Sequence, residues 1–362
     1  MFLSWLDLVD VRCYDRLAFR PEPGVNVLVG DNGAGKTSVL EAIGYVGMMK
    51  SFRGVADDAL VREGAERAVM RAGIGGGATE ATVEVEIPDQ GRRIVLVNGK
   101  RPTRLRDVLL QVPVVAFMPD DLDVIKRGPA IRRDYLDDLA SQLWPQAGAD
   151  LSEYDRSVRQ RNTLLRQDGR STDPISLEVW DERLAAAGAG VMLHRREVAR
   201  QLQPHLLDAY EVVGGAGDLR WAYASTWASE SAFSHDDLVA ALRKALAERR
   251  SRDMDVRTTT VGPHRDEPGL VLDGRSTRTR ASQGEQRTVA LALRIGAHRL
   301  IEEVRDTTPI LLLDDVFSEL DHDRASRVLS LIPHGQVFVT TARDDEVPIT
   351  GRRWTVTEGT VA

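Results

Sequence analysis

The sequence predicts an α/β fold interrupted by a helical lobe, and three observations carry that prediction. A short apolar run, Val25 to Val29, feeds a glycine-rich turn and then apolar positions at helical spacing. A second run, Ile310 to Leu313, ends in the paired acids Asp314 and Asp315. Between the two, from about Asp121 to Ser251, the strand signals give way to helical ones.

In chain order, the first strand, Val25 to Val29, leads into a helix from Thr37 to Met49, where Val39, Leu40, Ile43 and Val46 share one face. Residues 79–97 alternate about a Pro88-Asp89-Gln90-Gly91 turn and predict a hairpin. Val112 to Phe117 is a further strand, and Gly73-Ile74-Gly75-Gly76-Gly77 reads as a mobile loop tip. Ile131–Leu143, Leu177–Leu207 and His235–Arg250 read as helices, the last capped by Ser234. Strands return at Gly269–Leu272, Pro309–Leu313 and Val337–Thr341. The division expected is 1–120 and 300–362 forming one lobe, with 121–299 inserted between them.

The 362 residues carry 55 acidic and 48 basic side chains, a formal charge of −7. Six basic against twelve acidic groups fall in residues 300–362, so most of the excess sits at that end. The 121–299 stretch is neutral and can still present a basic face to nucleic acid. One cysteine, Cys13, excludes an internal disulfide and a cysteine metal site, and it suits a reducing, cytoplasmic setting. The longest uncharged stretch, Val328 to Ala342, is broken by Pro333 and Gly335 and too short to span a bilayer. With Asp7 and Asp10 near the start, neither secretion nor membrane insertion is expected.

Gly30-Asp31-Asn32-Gly33-Ala34-Gly35-Lys36-Thr37-Ser38 fits the phosphate-binding pattern GxxxxGK[ST]. Glycines let backbone N–H groups turn toward phosphate oxygens, and the helix N-terminus adds its positive end. Lys36 would reach the β- and γ-phosphates of ATP, and the Thr37 hydroxyl would ligate Mg²⁺. Asp314, at the C-terminal end of its strand, would share the Mg²⁺, and Asp315 would polarise the attacking water.

Ser282-Gln283-Gly284-Glu285 reads first as a helix start, a serine cap with glutamate at the third helical position. Together with the phosphate loop, the acidic strand end and the turn Ser318-Glu319-Leu320-Asp321, it resembles the Walker A, signature, Walker B and D-loop quartet of ABC ATPases. That resemblance implies two heads sandwiching two ATPs, with Ser282 and Gly284 facing the γ-phosphate bound by the other copy. The 246 residues between Lys36 and Ser282 exceed transporter spacing, Thr340-Thr341 stands where transporters keep a histidine, and Phe117-Met118-Pro119 stands where a Q-loop glutamine would follow. Asp315 in place of glutamate shortens the base by roughly 1 Å of reach, which predicts slow hydrolysis.

Further blocks make the resemblance narrower: Asn26-Val27-Leu28-Val29-Gly30, Leu40-Glu41-Ala42-Ile43, Ser51-Phe52-Arg53, Arg132-Arg133-Asp134-Tyr135-Leu136-Asp137, Tyr154-Asp155-Arg156-Ser157-Val158, Gln160-Arg161-Asn162, Val179-Trp180-Asp181 and Thr260-Val261-Gly262-Pro263-His264-Arg265-Asp266. On these the chain resembles, end to end, the RecF family of recombination mediators, relatives of SMC heads. The resemblance implies an ABC-type head without a long coiled coil. It also implies an ATPase that dimerises on ATP, binds double-stranded and gapped DNA, and works with RecR and RecO to load RecA. Local density nominates Arg156, Arg159, Arg161 and Arg166, and Arg195, Arg196 and Arg200, for DNA phosphate, with a merely solvated helix face as the alternative. An SMC-like structural head and a transporter energy-coupling subunit are the rival readings.

Overall fold

The structure is a computed structural model and describes residues 2–76, 80–103, 112–118, 121–229, 234–319, 322–331, 335–344, 347 and 349–362. Its strands are β1 (Phe2–Val11), β2 (Tyr14–Phe19), β3 (Val25–Val29), β4 (Arg67–Gly75), β5 (Ala81–Pro88), β6 (Ile94–Val97), β7 (Val114–Phe117), β8 (Leu219–Ala224), β9 (Glu267–Leu272), β10 (Arg275–Ser276), β11 (Ile310–Asp314), β12 (Val337–Thr341), β13 (Arg352–Thr357) and β14 (Thr360–Val361). Its helices are α1 (Lys36–Met48), α2 (Leu122–Lys126), α3 (Pro129–Leu143), α4 (Pro145–Asp168), α5 (Pro174–Val212), α6 (His235–Val256), α7 (Thr277–Arg280), α8 (Gln283–Arg305) and α9 (His322–Leu331).

Two compact units result. The first joins Met1–Leu122, His205–Ala216 and Arg287–Ala362, and the second joins Asp123–Pro204 and Gly217–Gln286. The first unit holds a six-stranded sheet in the order β14-β13-β3-β12-β11-β7, parallel from β13 to β7. All five residues of β11 and of β12 are buried, which is why these strands read as unbroken apolar runs without alternation. An antiparallel sheet, β2-β1-β4-β5-β6, completes the unit. Helix α1 is buried on nearly every side, and Leu40 and Ile43 join a core with Leu6 and Phe19 of one sheet and Leu312 and Phe338 of the other.

The loop expected at Gly73–Gly77 is corrected. Gly73 to Gly75 end strand β4, where Gly73 faces Trp5 on β1 and Thr82 on β5. A Cβ at Gly73 would stand 2.1 Å from Trp5 Nε1, so the glycine lets the indole lie across the sheet. Gly77 lies outside the described residues.

The second unit packs α3 to α6 with the antiparallel strands β10-β9-β8. Leu238, Leu242 and Leu246 line the buried face of α6 beside Tyr154, Leu184 and Met192. Ser234 caps α6 by accepting from Asp237 N at 3.1 Å. This unit is narrower than 121–299. Helix α8 falls with the first unit from Arg287 onward, where its Leu291 and Ile295 line one small cavity with Leu311 and Leu313 of β11 and His298 Nε2 lies 3.1 Å from Pro309 O. Among the described residues no helix is long and apolar enough to cross a membrane.

Candidate nucleotide site

The phosphate loop leaves the C-terminal edge of the parallel sheet. Gly30 N donates to Thr341 O at 3.4 Å, tying the loop's start to the end of β12. Gly33 and Gly35 take φ of +86° and +109°, which other residues adopt only with strain. A Cβ at Gly35 would also stand 2.7 Å from Tyr14 Oη and 2.8 Å from Cys13 Sγ. Helix α1 then begins at Lys36 with no side-chain cap, so its leading N–H groups are left for an anion. Asn32 and Gly33 are exposed at the rim, and Ser38 is half-buried behind Thr37.

Lys36 folds back over this loop. Its Nζ donates to Gly30 O at 2.6 Å and Asp31 O at 2.9 Å. Burial pulls the lysine pKa down, and the charges of Asp315, Asp314 and Asp31 oppose that shift.

The parallel register sets Asp314 on β11 beside Thr340 on β12. Thr340 Oγ1 donates to Asp314 Oδ1 at 2.6 Å and accepts from Asp315 N at 2.9 Å. Thr37 Oγ1 lies 3.0 Å from both Asp314 carboxylate oxygens. Burial pushes the Asp314 pKa up, the Thr340 and Thr37 hydroxyls hold it down, and Asp315 adds a like charge. Asp315 has φ +51°, and its Oδ1 is buried without a hydrogen-bond partner. Ser318 Oγ donates to Asp315 O at 2.8 Å and closes the turn beneath it. The other D-loop residue singled out in the sequence, Asp321, lies outside the described residues.

These residues fit Mg²⁺. Thr37 Oγ1 and the Asp314 carboxylate are hard oxygen donors converging on one point. A Mg²⁺ that arrives with phosphate needs only one or two protein ligands. Among the described residues no group of three His, Cys, Asp or Glu side chains could hold a metal by itself, so the phosphates and water must complete the shell.

Sequence reasoning gave Thr340 no role and passed over Arg12. Glu41 of α1 is fully buried and receives Arg12 Nε and Nη2, both at 2.9 Å, together with Ser51 Oγ. Arg53 stands 3.9 Å from Glu41, and its charge also acts on Asp314. Arg12 and Glu41 are 29 positions apart on separate elements, and no local pattern pairs them. Thr340 could have been found: it occupies the strand end beside the acidic one.

The signature residues Ser282 to Glu285 belong to the second unit. Ser282 N donates to Glu285 Oε2 at 2.7 Å, and Glu285 N donates to Ser282 Oγ at 3.2 Å, a reciprocal capping box. The Ser282 backbone N–H and, beside it, the Ser282 hydroxyl hold the exposed Glu285 carboxyl below its usual range. Ser282 and Gln283 are exposed, and a side chain at Gly284 would meet no heavy atom within 4 Å. In the first unit, Asp121 accepts from Met118 N at 2.7 Å and pairs with Arg294 of α8, where a Q-loop had been sought. Pro119 lies outside the described residues.

Two of the arginines nominated for DNA are corrected. Arg161 is fully buried, bound to Asp181 at 2.6 Å and Asp253 at 2.7 Å. Arg195 is 3% exposed and forks onto Asp137 with two bonds of 2.7 Å. The helix phase explains the error: Tyr154, Ser157, Arg161 and Leu165 share the inward face of α4, while Arg156, Arg159 and Arg166 face solvent. Arg196 is half-buried, and Arg200 is exposed but paired with Glu197.

Residues 2–358 match the family model described as the RecF/RecN/SMC N terminal domain. The DNA replication and repair protein RecF of Acidothermus cellulolyticus is 41% identical over 374 residues, covering 100% of this chain and 99% of that protein. Its counterpart in Streptomyces avermitilis is 41% identical over 372 residues, with the same coverage. A solved structure of the recombination mediator protein RecF with ATP, in the RecFOR pathway, superposes with TM-score 0.94 at 28% identity, covering 100% of this chain and 97% of that one. An Smc head bound to the C-winged helix domain of ScpA, at 17% identity and TM-score 0.56, shares the fold.

Proposed function

This chain belongs to the RecF family, and on that premise we propose that it is an ATP-dependent DNA-binding recombination mediator whose two copies close on DNA when ATP is bound. The observation that carries the reading is the meeting of Thr37, Asp314 and Thr340 beside the unpaired Asp315, at the mouth of an uncapped helix.

The phosphates of ATP settle on the N–H groups of residues 30–38, and Lys36 turns from the Gly30 and Asp31 carbonyls to the β- and γ-phosphates. Mg²⁺ held through Thr37 and Asp314 would neutralise charge developing on the phosphate oxygens. Asp315 accepts a hydrogen bond from the attacking water and orients it in line with the γ-phosphate. Ser282 and the Gly284 N–H of a second copy bind that same γ-phosphate, so ATP favours the closed dimer by the strength of those contacts. Ser318 would face the dimer seam. Hydrolysis removes the γ-phosphate and opens the dimer, and the short Asp315 makes this slow. The closed dimer grips double-stranded or gapped DNA and, with RecR and RecO, promotes RecA loading.

The test is Ser282→Arg. Titration calorimetry should show ATP binding within about twofold of wild type, while sedimentation shows no ATP-dependent dimer. A variant that still dimerises with ATP would sink the role of the signature across the seam.

A further inference from the structure

The blocks left unused by the nucleotide site converge on one turn of the second unit. Pro263, His264 and Arg265 form a single 3₁₀ turn. Tyr154 Oη lies 2.5 Å from His264 Nδ1, and His264 Nε2 lies 3.1 Å from Thr259 O. A carbonyl can only accept, so the imidazole carries its proton on Nε2 and accepts from Tyr154. Arg195 Nη1 donates to Pro263 O at 2.7 Å, and Arg133 Nη1 donates to Asp266 O at 2.8 Å. The Asp266 carboxylate takes Tyr223 Oη at 2.9 Å and Trp227 Nε1 at 3.0 Å. Asn162 Oδ1 accepts from Thr259 N at 2.7 Å, and Arg161 Nη1 donates to Thr259 Oγ1 at 3.0 Å. Residues from five separate blocks thus hold eight positions of chain rigid.

What this framework leaves outside is positive charge. Arg265 is exposed, touches only Thr259 O at 3.4 Å, and forms no ion pair among the described residues. Arg133 is half-buried with a backbone carbonyl as its one hydrogen-bond partner there, and burial and the Arg195 charge both work against its ionised form. Most nearby carboxylates are already committed: Asp137 to Arg195, Asp181 and Asp253 to Arg161, Asp266 to the two aromatics. The charges of Asp134 and Asp266 also act on Arg133 and favour its ionised form, though neither carboxylate forms an ion pair with it among the described residues. Two guanidiniums held at one braced turn, neither in an ion pair with a carboxylate among the described residues, suit an external anion, and a guanidinium fork matches phosphate oxygens.

We propose that Arg265 and Arg133 bind the phosphodiester backbone of a nucleic acid, with the turn at 259–266 as their rigid mount. The proposal rests on the DNA-binding reading above and deepens it by naming the contacts.

The experiment compares full-length wild type with Arg265→Gln on a gapped duplex, with ATP and Mg²⁺, across a series of salt concentrations. Loss of one phosphate contact should weaken binding about tenfold at low salt and reduce the log–log salt slope by about one. Adding Arg133→Gln should lower both further. Arg265→Lys should recover the slope while regaining only part of the affinity. ATP-dependent dimerisation should be unchanged in Arg265→Gln, and Arg170→Gln, whose guanidinium already pairs with Asp255, should bind DNA like wild type. Wild-type affinity and slope in Arg265→Gln would overturn this site alone. A variant that loses dimerisation and DNA binding in proportion would overturn it as well, by making the turn a subunit contact. Failure of the wild type to bind DNA with ATP would overturn both this site and the reading it rests on.

Discussion

The two units treat their charged groups in opposite ways. In the first, the groups for phosphate chemistry wait on internal partners: Lys36 rests on two loop carbonyls, and Asp314 is held by two hydroxyls. In the second, the signature Ser282 caps its own helix and faces solvent, and Arg265 stands exposed on a braced turn. In the first unit these side chains already meet one another within one chain. The second presents such groups to solvent, as the proposed closure on a second copy and on DNA would require.

Asp315→Asn should break the first unit's chemistry most severely. Asparagine tolerates the left-handed φ of this position, so the backbone should hold while the carboxylate is lost. Steady-state hydrolysis should fall about 10²- to 10⁴-fold, with an ATP-bound dimer persisting in sedimentation. Unchanged turnover would remove Asp315 from the reaction.

The deeply buried pairs of the second unit should matter for stability and not for ligand contact. Arg161→Met leaves Asp181 and Asp253 buried without their main cation and should cost about 3–5 kcal/mol in urea unfolding. DNA affinity, measured well below the melting temperature, should then match wild type. A specific loss of DNA affinity in a stably folded Arg161→Met would return that arginine to the interface.

Lys36→Met sharpens the contrast from the other side. Removing a charged donor to two phosphates should weaken ATP binding roughly 100-fold, about 3 kcal/mol, by calorimetry, with little change in melting of the nucleotide-free protein.

The smallest effect is a pH dependence centred on His264. Burial, aided by Arg265, Arg133 and Arg195, lowers its pKa from 6.5 to about 4. The unfolded chain therefore binds a proton that the folded one refuses between those values. The stability from this group is full above about pH 6.5 and is lost as pH falls toward 4, on the order of 2 kcal/mol at pH 5. Urea unfolding at pH 7 and pH 5 should show a larger loss in wild type than in His264→Gln.

Much of the nucleotide site was legible because its signals are local. A glycine turn between strand and helix, or an acidic pair ending an apolar strand, follows from neighbours in sequence. The capping box at Ser282 and Glu285 was legible for the same reason. The strands β8 and β13 were not, since they mix burial with exposure and pair with β9 and β3 far along the chain, and the β1–β2 hairpin was passed over. Arg161 and Arg195 were misread because counting arginines ignores the phase of the helix that carries them.

By itself, then, the sequence determined the local pieces on which the proposed chemistry rests: a glycine turn at a helix start, an acidic strand end and the cap at Ser282. Only the tertiary structure decided which of those groups meet. The parallel register sets Thr340 between Asp314 and Asp315, the packing of α1 brings Glu41 to Arg12, and the second unit's helices bury Arg161 while leaving Arg265 outside. The reason is physical. Backbone propensity and short spacing act within a few residues, whereas burial and charge pairing depend on which distant surfaces exclude water together.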